Sequence, residues 1–117
     1  MIKRDFLSLL DFSSDELKYV IERAKTLRKQ HENGEVYQPL VGKTGALILT
    51  MSSTRTRVAF EAGFAQMGAK VIFLSPGDTQ IGRGEPLEDL ARVLSEMVDI
   101  IMIRTANQQD IETLAHY

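Results

Sequence analysis

No cysteine occurs among the 117 residues, so disulfides and thiolate metal sites are excluded. The same absence fits a cytoplasmic location. No segment reaches the roughly 20 consecutive apolar residues that a membrane-spanning helix needs, and no membrane partner is expected. The opening "MIKRDFLSLLDFSSDEL" has a basic pair and a short apolar patch, which Asp11, Asp15 and Glu16 break. It reads as mature structure and not as a signal peptide. Positive charge is not in surplus either: 14 Lys and Arg against 16 Asp and Glu leave a formal charge of −2. That balance excludes bulk attraction to nucleic acid, so any anion site must be local.

The common nucleotide signatures are incomplete. Gly82 and Gly84 lack the third glycine of a dinucleotide fingerprint. Gly42-Lys43-Thr44 lacks the upstream glycine of a Walker loop and precedes a strand instead of opening a helix. His31 and His116 lie near helix ends without ligand spacing to a carboxylate cluster, so no metal site is expected.

What is present is a globular composition, 44% hydrophobic and 26% charged, of a length that suits one domain or a piece of one. "SSDELKYVIERAKTLRKQHENG" predicts a helix. Ser13 and Glu16 have capping-box spacing, and Phe12 is placed to staple onto Leu17. Leu17, Val20, Ile21, Ala24 and Leu27 form an apolar stripe, and Gly34 is a stop signal.

Three short apolar runs follow: "GALILT" (45–50), "KVIFL" (70–74) and "DIIMIR" (99–104). Each reads as a strand buried on both faces. A helix over about 54–67 separates the first two, with Val58, Ala62 and Ala65 on one side, Phe60, Phe64 and Met67 on another, and Gly68 as its cap. The glycine-rich "SPGDTQIGRGEP" (75–86) is a loop. Pro86 then opens a helix with Glu88 and Asp89 near its positive end and Leu87, Leu90, Ala91, Leu94 and Met97 on its apolar face. "NQQDIETLAHY" begins another helix. Alternating strands and helices predict an α/β fold of three layers, a parallel sheet with helices on both faces.

Ligands of such sheets bind beyond the carboxyl ends of the strands, where residues 52–57, 75–85 and 104–106 all fall. The corner "SSTRTR" therefore stands out. A helix's first turn leaves N–H groups without partners, and its dipole favours an anion. Ser52, Ser53, Thr54 and Thr56 add hydroxyls, Arg55 adds a guanidinium fork, and Arg104 offers a second positive charge. Each charge-assisted hydrogen bond contributes about 1.5–3 kcal/mol, so several together hold a small phosphorylated ligand without a metal. Alone, the Ser/Thr/Arg cluster is a helix cap or solvated loop, and Arg104 a surface ion-pair partner. The convergence of the strand ends favours the anion site. Arg57, one residue further into the helix, is spaced to pair with Glu61.

"SSTRTRVAFEAGFAQMGAKVIFLSPGDTQIGRGEPLEDLARVLSEMVDIIMIRT" closely resembles the carbamoyl-phosphate domain of the transcarbamoylases, and within them the ornithine carbamoyltransferase branch. The resemblance runs over nearly the whole chain, carried by "STRTR", "DTQIGRGEP" and "MIRT". Thr50 and Met51 stand where members often carry an acidic-basic pair. The resemblance implies transfer of the carbamoyl group of carbamoyl phosphate to L-ornithine, giving citrulline and phosphate in arginine biosynthesis, with no cofactor. It implies phosphate binding by Ser53, Thr54, Arg55 and Thr56. Arg104 would be the catalytic residue, reaching a phosphate oxygen and polarising the carbamoyl carbonyl. Gln80 would enter from a neighbouring subunit of a trimer-based homo-oligomer. Residues 1–117 are then a partial carbamoyl-phosphate-binding domain, without the ornithine-binding domain. Such a chain is expected to be inactive alone, and aggregation-prone or oligomeric.

Two other readings remain open. One is a sister transcarbamoylase that uses aspartate, putrescine or an acylated ornithine. The other is a non-catalytic anion-binding or assembly module, which predicts no bound phosphate and tolerance of Arg55→Ala. Nucleic-acid binding through "RTR" is disfavoured by the net negative charge.

Overall fold

The computed structural model describes residues 3–51, 53–75 and 87–117. They fall into two compact units, one ending at Tyr37 and one spanning Gln38–Tyr117.

The first unit is built by local hydrogen bonding. A 3-10 turn, Leu9–Asp11, is capped by Ser8, and Asp11 Oδ2 accepts from the N–H groups of Leu7 (2.7 Å) and Ser8 (2.9 Å). Phe12 meets Phe6 at 4.7 Å between ring centroids and lies under the Arg4 guanidinium. Helix α1, Ser14–Glu32, opens on the expected capping box. The Glu16 N–H donates to Ser13 Oγ at 3.1 Å, and the Ser13 N–H donates to Glu16 Oε1 at 2.9 Å. Arg4 also pairs with Glu16. That pairing comes first, and the Ser13 N–H second, in lowering the Glu16 carboxyl from 4.5 to about 2. At the other end Gly34 takes a positive φ of 77°, as a stop signal should. The predicted apolar stripe stays largely uncovered: α1 has no buried residue, and Val20 and Ile21 are about half exposed.

The second unit is the α/β layer. Its elements are β1 (Thr44–Leu49), α2 (Thr54–Gln66), β2 (Lys70–Leu74), α3 (Leu87–Met97), β3 (Ile100–Arg104) and α4 (Gln108–His116). The sheet is parallel in the order β2-β1-β3. Only β1, the middle strand, is buried along nearly its whole length. The expectation that all three strands are buried on both faces fails for the outer two, where Ile72 of β2 and Ile100 of β3 are about half exposed. The reason is strand order: each has a paired neighbour on one side only among the described residues.

Helices cover both faces, as alternation along β1 requires. On one face the Phe64 ring of α2 lies so close over Gly45 that a Cβ there would stand 2.9 Å from it. On the other, Ile48 joins Leu90, Ala91 and Leu94 of α3 and Leu114 of α4 in a buried cluster. Met97, placed on the same apolar face of α3 by periodicity, is mostly exposed because it is the helix's last residue.

Gly68 ends α2 with φ of 91°, and the N–H of Ala69 returns to the Phe64 carbonyl at 2.9 Å. The chain thus enters β2 after a sharp reversal. From β1 it winds first to β2 and then back across to β3. The direction changes between β1 and β3, and in open α/β sheets the crevice at such a switch point is where ligands bind.

Candidate anion site at the switch point

Two elements bring the cleft together. β3 ends on Arg104, which pairs in register with Leu49, the last residue of β1. α2 begins at Thr54, just beyond β1. Ser53, Thr54, Arg55, Thr56 and Arg104 line one open cleft of about 590 Å³. The parallel register is the cause, because it puts both strand ends on the same edge of the sheet.

Ser53 is the N-cap residue of α2 but makes no capping hydrogen bond with its side chain. Its hydroxyl donates instead to Thr56 Oγ1 at 2.8 Å and accepts from Arg104 Nη1. Arg104 Nη1 also reaches Thr56 Oγ1 at 3.2 Å. The hydroxyls therefore hold the guanidinium at the mouth of the helix. They leave the first-turn N–H groups, which have no acceptor within any α-helix, facing the cleft end.

The charge pattern is unusual for a helix start. The first turn of α2 carries no acidic residue, and Arg55 sits where a cation is disfavoured by the helix dipole. Among the described residues neither Arg55 nor Arg104 has a carboxylate partner, whereas Arg57 pairs with Glu61 at 2.9 Å. Arg57 also stacks over the Phe73 ring, 3.6 Å from its centroid. Two uncompensated guanidinium groups, a bare helix N-terminus and hydroxyls at one corner make a concentrated positive site on a chain of net charge −2. An incoming phosphate-sized anion would relieve the repulsion and satisfy the N–H groups together.

Of the residues singled out from sequence, Ser53, Thr54, Arg55, Thr56 and Arg104 are brought to one cleft. Ser52, Gln80 and the remainder of loop residues 76–86 lie outside the described residues. Sequence reasoning missed Thr50. Its N–H and its hydroxyl both donate to the Arg104 carbonyl, each at 3.0 Å. No motif marks this residue, since the contact depends on the β1–β3 register.

Comparison with known proteins agrees with the fold. Residues 4–117 match the family model described as aspartate/ornithine carbamoyltransferase, carbamoyl-P binding domain. An ornithine carbamoyltransferase of Psychrobacter arcticus is 58% identical over all 117 residues, and one of Acinetobacter baumannii is 54% identical. The chain spans 38% of the length of each. Among solved structures, ornithine carbamoyltransferase from Burkholderia thailandensis superposes with a TM-score of 0.91 at 50% identity, covering 97% of this chain and 39% of that one. The enzyme from Pyrococcus furiosus gives a TM-score of 0.93 at 42% identity, covering 97% of this chain and 36% of its own. The chain belongs to the aspartate/ornithine carbamoyltransferase family and corresponds to its carbamoyl-phosphate-binding domain.

Proposed function

We propose that residues 1–117 are the carbamoyl-phosphate-binding part of an ornithine carbamoyltransferase, which converts carbamoyl phosphate and L-ornithine to L-citrulline and phosphate. The observation that carries this reading is the N-terminus of α2 without a side-chain cap beside Arg104, with Arg55 at the same corner and without a carboxylate partner among the described residues. The relatives' names support the choice of ornithine as acceptor.

In this reading the first-turn N–H groups of α2, with Ser53, Thr54, Arg55 and Thr56, hold the phosphate. Arg104 spans a phosphate oxygen and the carbamoyl carbonyl. The ornithine δ-amine attacks the carbonyl carbon, the new C–N bond forms, the bond to the phosphate oxygen breaks, and the proton lost by the amine leaves on the departing phosphate. Negative charge grows on the carbonyl oxygen and on the departing phosphate, and fixed donors stabilise both without reorganising. The substrate amine is itself the nucleophile.

The ornithine contacts belong, in this proposal, to a further domain. Gln80 reaches the cleft of a neighbouring subunit in a trimer-based homo-oligomer, and the protein serves arginine biosynthesis in the cytoplasm. Much of the barrier reduction in such a transfer comes from holding the amine against the carbonyl. The 117-residue chain alone is therefore expected to bind carbamoyl phosphate and make no citrulline.

The test is a pair of measurements on the chain. Calorimetry should give saturable binding of carbamoyl phosphate with one site per chain, abolished or much weakened by Arg104→Ala. A colorimetric citrulline assay, with both substrates in excess, should stay at background. Absent binding would favour the non-catalytic assembly module, and turnover would place the catalytic machinery wrongly.

A further inference from the structure

We infer that Thr50 is a positioning residue that fixes Arg104 for anion binding. The inference rests on the anion-site reading above. Arg104 is the last residue of β3, where a strand's backbone is least constrained by its ladder. Its carbonyl nonetheless accepts twice from one residue, from the Thr50 N–H and from Thr50 Oγ1, both at 3.0 Å. An ordinary parallel ladder supplies only the N–H. The hydroxyl bond is thus an addition at the point where β3 hands over to the cleft.

The other end of Arg104 is held by the same stretch of chain. Nη1 donates to Ser53 Oγ and, at 3.2 Å, to Thr56 Oγ1. Ser53 lies three residues after Thr50, so the corner grips Arg104 at its carbonyl and at its guanidinium. Backbone, side chain and corner form a closed ring. Within it the long arginine side chain loses rotamer freedom before a ligand arrives, which lowers the ordering cost of binding. The Thr50 hydroxyl is the one part of the carbonyl grip that a side-chain substitution can remove, because the N–H bond stays.

The test is calorimetric titration of inorganic phosphate into the full chain, comparing wild type, Thr50→Val and Thr50→Ser. Valine keeps the shape and deletes the donor; serine keeps the donor. Loss of one neutral hydrogen bond should weaken phosphate binding by roughly two- to tenfold in T50V, and T50S should bind within about twofold of wild type. Equal affinity in wild type and T50V overturns the role of Thr50 while leaving the anion site standing. So does a T50S as weak as T50V. A wild type that binds no phosphate overturns the anion site itself, and the inference with it. Should T50V fail to fold, the unaltered chain still decides. NMR relaxation of Arg104 Nε should show the guanidinium already rigid before phosphate is added, with the Arg104 carbonyl carbon nearly unmoved through the titration. An Nε that stays mobile until phosphate binds overturns the ring.

Discussion

Arg55 and Arg57 are two residues apart and should respond to alanine in opposite ways. Arg57 is committed to the fold: it bonds Glu61 at 2.9 Å and stacks 3.6 Å from the Phe73 ring centroid. Both groups of the ion pair are more than a third exposed, so solvent screens it. The helical i,i+4 pair contributes about 0.3–0.5 kcal/mol and the exposed cation–π contact about 0.5–1 kcal/mol. Arg57→Ala should therefore cost about 1 kcal/mol of stability. Arg55 is committed to nothing among the described residues and sits in the first turn of α2, where the dipole opposes a cation by about 0.3–1 kcal/mol. Arg55→Ala should leave stability unchanged or slightly higher. Its cost appears in binding. One lost charge-assisted hydrogen bond, about 1.5–3 kcal/mol, weakens phosphate by roughly ten- to 150-fold. Urea denaturation and phosphate calorimetry on the two variants measure both axes. Arg55→Ala with wild-type affinity, or Arg57→Ala with the larger loss of affinity, would refute the assignment of these two side chains.

Two predictions concern the scaffold. Gly68→Ala forces a side chain onto a φ of 91° and puts its Cβ 2.7 Å from Val41 Cγ2. The backbone term alone is about 1–2 kcal/mol, so urea denaturation should show a loss of about 2 kcal/mol or more. Glu16 should titrate near 2, well below its ordinary 4.5, when its carboxyl carbon is followed by NMR. Because the folded value is the lower one, the unfolded chain binds more protons between these two pH values. The contribution of Glu16 to stability is thus complete above about 4.5 and is lost as pH falls toward 2. Arg4→Ala should return the midpoint most of the way to 4.5, and an unmoved midpoint would reject the pairing as its main cause.

Local features were the most legible in the sequence. The Ser13–Glu16 box, the reversals at Gly34 and Gly68, the span of β2 and the Arg57–Glu61 pair all depend on neighbours within a few residues. The meeting of Arg104 with the "STRTR" corner was legible for a different reason. Parallel strands joined by helices must present their carboxyl ends on one edge, whatever their order. Order itself was not legible, and the failures trace to it. Which strands lie outermost decides that Ile72 and Ile100 stay half exposed. Register decides that Thr50 faces the Arg104 carbonyl. Taken alone, the Ser/Thr/Arg cluster reads as a helix cap or solvated loop, yet Ser53 makes no side-chain cap and its hydroxyl meets a guanidinium that comes from 51 residues away.

The most direct test of the central claim is a crystal structure of the chain grown in phosphate. The account predicts one ordered anion at the α2 N-terminus, accepting from the N–H groups of its first turn and within hydrogen-bond distance of the Arg55 and Arg104 guanidinium groups. An ordered phosphate elsewhere, with only water between Arg104 and Thr54–Thr56, would contradict it.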